Sequence, residues 1–186
     1  INKMPGLYDD KFANLKAGYT FMIGHPGKKL LFMGQEFGQW HEWDEKVALD
    51  WHLLEEDRHK ELQSYVKDLL HLYRKFPALY SMDNDWDGFQ WINANDGDRS
   101  IFSFIRRDET GKKSLLFVIN FTPVERPDYR VGVPKKGKYT LVLDSEHGML
   151  SASQAPGYKA SLGECDGQPY SFDYPLSAYG TAVFRF

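Results

Sequence analysis

The sequence predicts two consecutive parts of different fold class: a fragment of an α/β fold in residues 1–80 and an all-β antiparallel sandwich in residues 81–186. Two observations carry this prediction. In the first part, two stretches of helical periodicity flank one short apolar run. In the second part, about eight strand-like patterns recur at roughly ten-residue spacing, with turn residues between them.

The first predicted helix covers residues 9–24, where apolar side chains recur at the spacing of one helix face. These side chains are Phe12, Leu15, Tyr19, Met22 and Ile23. Asp9 or Asp10 is expected to cap the start of this helix, and His25-Pro26-Gly27 is expected to end it.

The second predicted helix covers residues 57–75. Its expected apolar face consists of Leu62, Tyr65, Val66, Leu69, Leu70 and Tyr73. Asp57 is the expected cap, and Pro77 marks the exit because proline cannot continue a helix.

Between the helices, residues 29–33 form a short apolar run bounded by Gly27 and Gly34, which predicts a buried parallel strand. A polar and aromatic loop follows at 34–50. A parallel strand needs neighbours on both sides, so helix, strand, loop and helix cannot close a sheet by themselves. Residues 1–80 are therefore expected to be a fragment of a larger domain.

The second half is expected to be a sandwich with a core of its own, because about 100 residues suffice for one. The predicted strands are 90–94, 100–107, 114–122, 128–133, 138–144, 158–162, 169–172 and 178–186. Asp96-Gly97 and Thr110-Gly111 predict hairpin turns.

The composition argues against several classes of partner and site. The net charge of −3 and the lack of a basic stripe predict no nucleic-acid binding. No apolar run approaches the roughly 20 residues of a membrane span, and the N-terminal residues do not resemble a signal peptide. The single cysteine, Cys165, favours a cytoplasmic location, and the histidines show no metal-ligand spacing.

The loop after residue 33 carries the residues expected to contact a ligand: Glu36, Gln39, Trp40, Glu42 and Trp43. Active sites of parallel α/β barrels gather at the carboxyl ends of the strands, which is where this loop would lie. Carboxylates and amides suit sugar hydroxyls, and tryptophans suit the flat faces of sugar rings. The alternative is that Glu36 only orders the loop by accepting backbone N–H groups.

The stretch HPGKKLLFMGQEFGQWHEW resembles the last signature segment of the α-amylase superfamily, with Pro26, Gly34 and Glu36 in matching order. Two further segments are similar to those of 1,4-α-glucan branching enzymes. One is Asn2-Lys3-Met4-Pro5-Gly6, and the other is the run from Glu42-Trp43 to Leu49-Asp50-Trp51-His52-Leu53-Leu54. The resemblance covers essentially the whole chain.

The resemblance implies that residues 1–80 are the last strand and flanking helices of a TIM barrel. It also implies an enzyme that transfers an α-glucan chain to a 6-hydroxyl with retention and without a cofactor or metal. That chemistry uses two carboxyl groups about 5–5.5 Å apart. None of this family's catalytic residues is matched in this chain: the nucleophile, the acid/base and the stabilising aspartate are expected upstream of Ile1. The chain alone is therefore predicted to be inactive.

Two alternatives stay open at this point. The sandwich could be an α-glucan-binding module, or the chain could belong to another hydrolase of the same superfamily. Trp86 and Trp91 are expected to fill a domain interface rather than to bind sugar. Cys165 is expected to be unreactive, and the surfaces of a barrel fragment predict self-association.

Overall fold

The computed structural model describes all residues, 1–186, as two helices and nine strands with short 3₁₀ turns between them. The helices are α1 (Tyr8–Gly24) and α2 (Asp57–Lys75). The strands are β1 (Phe89–Asn93), β2 (Ile101–Arg106), β3 (Leu115–Asn120), β4 (Arg126–Val133), β5 (Gly137–Asp144), β6 (Gly148–Met149), β7 (Gly157–Cys165), β8 (Gln168–Leu176) and β9 (Thr181–Arg185). Neither helix combines the length and the apolar character that a membrane-crossing segment needs.

Helix α1 lies where it was predicted, but its capping differs from the expectation. Leu7 is the N-cap residue, and the carboxylate of Asp10 accepts a hydrogen bond from the Leu7 backbone N–H at 3.1 Å. An acidic group in the first turn also favours the positive end of the helix dipole. The helix ends at His25, whose backbone N–H still donates to the carbonyl of Phe21.

Helix α2 spans the predicted residues, with Glu56 rather than Asp57 as the N-cap. Its buried side chains are His59, Leu62, Tyr65, Val66, Leu69 and Leu72. Leu70, expected on the apolar face, is 42% exposed, so that assignment is wrong. Leu72 occupies the buried face instead, because the face that meets the sheet is rotated slightly from the one that the apolar pattern indicates.

All strand pairs are antiparallel, and the strands follow one path in the order β1-β2-β3-β9-β5-β7-β8-β4, with β6 paired to β5. The path folds over on itself, because β4 and β8 contribute to the same core as β2, β3 and β9. The eight predicted strands and both hairpins are present, and only the two-residue β6 was not predicted. The all-β antiparallel prediction is confirmed.

The outer face of this sheet packs against both helices. The second core cluster combines side chains of α1 and α2 with side chains of β3 and β9. The Tyr65 hydroxyl lies 2.6 Å from the Thr20 hydroxyl and 2.9 Å from that of Thr181, which joins both helices to β9. At Gly24, an added Cβ would lie 2.7 Å from the Phe117 ring, so only glycine allows this close approach.

Residues 29–33 do not form the predicted strand. The segment has no regular secondary structure, and Leu30 and Phe32 are 72% and 45% exposed. Met33 has a φ of 37°, which is outside the extended region. The physical reason is that no neighbouring strand lies beside this segment to pair with its backbone groups.

The two tryptophans at the start of the sheet have different environments. Trp91 lies between the end of α1 and β2, with its ring centroid 6.0 Å from that of His25 and 5.6 Å from that of Phe104. It packs against the end of α1 but stays 39% exposed, so it fills the expected interface only in part. Trp86 is 95% exposed, so its assignment to an interface is wrong: it lies in a 3₁₀ turn before β1.

Candidate functional site

The loop that follows α1 is shaped by two glycines in the left-handed region. Gly34 (φ 85°) and Gly38 (φ 71°) flank a 3₁₀ turn at Gln35–Phe37. An added Cβ at Gly34 would lie 2.9 Å from Oε1 of Gln39, and one at Gly38 would lie 2.9 Å from Cδ2 of Leu62. Glycine is therefore required at both positions, for its backbone conformation and for its small size.

Both helices hold this loop in place. Phe37 is fully buried, and its carbonyl lies 2.6 Å from Nδ1 of His59 on α2. The Tyr19 hydroxyl of α1 donates to the carbonyl of Gln35 at 2.7 Å. Burial, reinforced by the charge of Glu36, raises the pKa of Tyr19, so this hydroxyl keeps its proton for donation.

A cleft of about 660 Å³ opens between this loop, the N-terminal segment and α1. Four of the five predicted ligand contacts line it: Gln39, Trp40, Glu42 and Trp43. The cleft is large enough for a small ligand. Its lining combines aromatic rings, amides and a carboxylate, the groups that suit a carbohydrate.

Glu36 is the predicted residue that does not line the cleft. It is half-buried in the 3₁₀ turn, and its carboxylate accepts no hydrogen bond. The alternative that Glu36 orders the loop through backbone N–H groups is therefore not supported. Other groups hold the loop, among them the hydroxyl of Tyr19 and the imidazole of His59.

The two tryptophans of the loop differ in how accessible their rings are to a ligand. Trp40 stacks on Tyr8 at 5.9 Å between ring centroids and meets Phe12 edge-on at 6.4 Å, so it is held in an aromatic cluster. Trp43 is 59% exposed and contacts the ring of Phe32 edge-on at 5.6 Å. Trp43 therefore presents the open aromatic surface of the cleft.

The charged groups around the cleft are paired. Glu42 forms an ion pair with Lys3, and this hydrogen bond and charge lower the pKa of the Glu42 carboxyl. Asp50 lies 2.9 Å from Nδ1 of His41, and its backbone N–H donates to Oε1 of Gln39 at 3.0 Å. A general acid needs a raised pKa, so Glu42 is suited to hydrogen bonding and not to protonating a leaving group.

Three residues that shape this site were not predicted from the sequence as site residues: Lys3, Tyr19 and His59. Lys3 lies in the Asn2-Lys3-Met4-Pro5-Gly6 motif, but nothing in the sequence indicates that it pairs with Glu42. His59 is fully buried, although it lies in a charged stretch at the start of α2 and the sequence there indicates a turn exposed to solvent. No three or more His, Cys, Asp or Glu side chains cluster closely enough to hold a metal ion.

Cys165 lies at the end of β7, away from this cleft. Burial raises the pKa of its thiol to about 11, and the thiol donates to the carbonyl of Arg130 at 3.3 Å. A thiol with this pKa holds little thiolate at neutral pH, which agrees with the prediction that it is unreactive.

The model of one protein family, described as the alpha amylase C-terminal all-beta domain, matches residues 91–186, just over half of the chain. The chain belongs to this family. The matched residues contain all nine strands except the first two residues of β1. This α-amylase C-terminal all-β domain is therefore the folded-over sheet described above, and the two helices pack on its outer face.

Curated relatives of this chain include two enzymes that share one name. The chain is 53% identical to the 1,4-alpha-glucan branching enzyme GlgB of Butyrivibrio fibrisolvens, with all of this chain and 30% of that protein covered. It is 52% identical to the enzyme of the same name from Aquifex aeolicus, with 78% of this chain and 23% of that protein covered. The resemblance predicted from the sequence is thus confirmed, and the chain spans less than a third of these relatives' length.

Two solved structures are similar in fold. Pullulanase type I from Bacillus subtilis, complexed with maltose, matches 97% of this chain and 24% of its own at a TM-score of 0.72 and 16% identity. Isomaltulose synthase from Klebsiella sp. LX3 matches 93% of this chain and 38% of its own at a TM-score of 0.60 and 15% identity. At such identities the likeness establishes the fold alone.

Proposed function

We propose that this chain is the C-terminal part of a 1,4-α-glucan branching enzyme. The observation that carries the proposal is the 53% identity over the whole chain to an enzyme of that name. In the proposed reaction, a carboxylate attacks the anomeric carbon of an α-1,4 bond while a carboxylic acid protonates the leaving oxygen. The 6-hydroxyl of an acceptor glucan then resolves the covalent intermediate, forming an α-1,6 branch with retention.

Residues 1–80, in this proposal, are the end of the catalytic barrel, and residues 81–186 are the domain that follows it. The apolar run of residues 29–33 supports this assignment. Such a run is typical of a barrel strand that neighbouring strands bury, and in this chain, without those neighbours, it is exposed. Leu30, Phe32 and Trp43 are large apolar side chains left open to solvent. The same exposure supports self-association of the isolated chain.

The cleft contributes one wall of the glucan site in this proposal. Trp43 offers a ring face to a sugar, and Gln39 and Glu42 offer hydrogen-bond partners to its hydroxyls. Trp40 keeps the loop in place through its packing on Tyr8 and Phe12, and Glu36 lies at the adjoining rim, where its charge acts on Tyr19. The catalytic carboxyl groups belong to the part of the enzyme that precedes these residues, and the chemistry needs no cofactor. We place the enzyme in the cytoplasm, which a single unpaired cysteine supports.

A chimera tests this proposal directly. Residues 1–186 replace the matched segment of the Butyrivibrio fibrisolvens enzyme, and α-1,6 linkages formed from amylose are counted by NMR of the anomeric protons. We expect the chimera to branch amylose and the isolated chain to form no α-1,6 linkages. A soluble chimera with a cooperative thermal transition but no branching activity would contradict the proposal, as would branching by the isolated chain.

A further inference from the structure

A second cleft, of about 530 Å³, lies at the end of α2, where the helix leaves the outer face of the sheet. Five separate segments border it: the exit of α2, the hairpin between β2 and β3, the start of β5, the loop between β6 and β7, and the end of β9. We call it the basic cleft, because its wall carries Lys75, Lys112, Lys113, Lys138 and Arg185.

No carboxylate side chain balances the charge of the basic cleft. None of its five cationic side chains forms an ion pair with a carboxylate. No Asp or Glu lies among the lining residues, although the chain as a whole has 26 acidic against 23 basic residues. A chain of net charge −3 thus concentrates five positive charges around one concave surface.

The strand register shows how these charges come to face the same space. Arg185 of β9 is paired with Leu115 of β3 on one side and with Thr140 of β5 on the other. Paired residues point to the same face of a sheet, and so do residues two apart on one strand. Arg185 therefore shares the helix-covered face with Val183, and Lys138 shares it with Thr140. The face is apolar beneath the helices and basic beyond the end of α2.

Ordinary structural roles account for part of this pattern. Lys75 lies in the last turn of α2, where a cation favours the negative end of the helix dipole. Lys112 and Lys113 lie in a hairpin turn, where solvated lysines are common. Neither role explains Lys138 and Arg185, which project from regular strands into the same space. Like charges so arranged repel each other unless an anion lies between them.

We propose that the basic cleft binds a small ligand carrying two or more phosphate charges. Its volume is in the range of small-molecule sites. Lysine ammonium groups and the arginine guanidinium are the side chains that bind phosphate oxygens most strongly. Phe76, Leu150 and Phe186 form an apolar part of the wall that accommodates the organic portion of such a ligand. This site is independent of the proposed branching activity and is distinct from the loop cleft.

Titration calorimetry of the full chain with inorganic pyrophosphate at about 0.1 M salt tests the proposal. We expect saturable, one-to-one binding that weakens as salt is added. The test variant is the double substitution Lys113→Glu and Lys138→Glu, at two exposed positions of the cleft. Each lysine supplies a charge-assisted contact, so we expect the double variant to bind at least about 100-fold more weakly.

The matched control is the double substitution Lys46→Glu and Lys67→Glu, which changes the net charge equally at exposed positions outside the cleft. We expect it to keep its pyrophosphate affinity within about twofold, because charges farther away than a Debye length are largely screened. Thermal unfolding of both variants verifies their folding. The proposal is overturned if pyrophosphate does not bind the unmodified chain, if both double variants lose affinity equally, or if a 20-nucleotide DNA strand binds while pyrophosphate does not.

Discussion

His59 is the residue on which the position of the cleft loop most depends. Its imidazole is fully buried, with Nδ1 2.6 Å from the carbonyl of Phe37 and its ring edge-on to Phe12 at 4.9 Å. The other ring nitrogen, Nε2, has no hydrogen-bond partner, and the nearest carboxylate oxygen, of Glu56, lies 3.9 Å away. A single imidazole thus joins α2 to the loop that carries the proposed sugar contacts.

We expect His59→Ala to lower the free energy of unfolding by about 2–4 kcal/mol, through the cavity left and the buried carbonyl left without its donor. Urea unfolding monitored by circular dichroism measures this. The control is His52→Ala at an exposed position, expected to change stability by less than about 0.5 kcal/mol. Equal effects of the two substitutions would show that His59 does not hold the loop.

His147 provides a pH-dependent contact at the residue scale. Its hydrogen bond to Asp144, at 3.0 Å from Nδ1 to Oδ2, raises the pKa of the imidazole above its ordinary value of 6.5. A raised pKa in the folded state means stability that is fully present below about pH 6.5. This contribution is lost as the pH rises through the folded-state pKa.

We expect Asp144→Asn to return the pKa of His147 to about 6.5, since asparagine keeps an acceptor for the neighbouring backbone N–H groups but carries no charge. An NMR titration of the His147 ring protons gives both values. Thermal unfolding of the variant verifies that it folds. An unchanged pKa for His147 would contradict the assigned cause.

The sequence was sufficient to predict which residues of the loop line the cleft together, but not the groups that position them. Gln39, Trp40, Glu42 and Trp43 follow one another along the chain, so their shared location could be inferred from composition alone. The contacts of Lys3 and His59 join residues 39 and 22 positions apart, and no local pattern indicates them. Such pairings depend on how the helices pack.

At the scale of elements, α2 gives the sharpest test of the packing. Leu72 is fully buried in the core between helices and sheet, whereas Leu70, two residues earlier, is 42% exposed. We expect Leu72→Ala to lower the free energy of unfolding by about 2–5 kcal/mol and Leu70→Ala by less than about 1 kcal/mol. Urea unfolding of the two variants shows whether the buried face of α2 contains Leu72, as the structure shows, or Leu70, as the apolar pattern indicates.

The sequence predicted the helices and strands correctly wherever the element that each one packs against or pairs with lies within this chain. Both helices and eight strands were predicted because alternation, turn residues and helix breakers are local signals, and the folded chain satisfies each of them. The run at 29–33 has the composition of a buried strand but no strand beside it, so its backbone stays irregular. The composition of a segment indicates that it can form a strand, but it forms one only if a neighbouring strand is present to pair with it.

At the scale of the whole molecule, both faces of the sheet are covered, whereas the far side of the helices leaves several apolar side chains open to solvent. The sheet has a core between its folded halves and a second core beneath the helices. The segments on the far side of the helices leave apolar side chains open, among them Leu30, Val47 and Trp51 at 54–72% exposure. The division into domains at residue 80 stays a prediction, since the helices and the sheet share one core.

This exposed surface predicts that the isolated chain self-associates. We expect sedimentation velocity to show a concentration-dependent increase in mass that the double substitution Leu30→Asp and Trp43→Gln reduces. The control is Leu162→Asp, because Leu162 is 83% exposed on β7 and far from this surface in the chain. A monomer at all concentrations, or an equal effect of the control, would contradict the assignment.

Backbone amide exchange of residues 29–31 tests most directly whether this chain is a part whose surface the rest of the enzyme completes. These N–H groups have no hydrogen-bond acceptor in the structure. We expect exchange close to that of an unstructured peptide in the isolated chain. In the chimera with the Butyrivibrio fibrisolvens enzyme, we expect exchange at least about 1000-fold slower, as for a paired core strand. Equally fast exchange in the isolated chain and in a folded chimera would contradict this prediction.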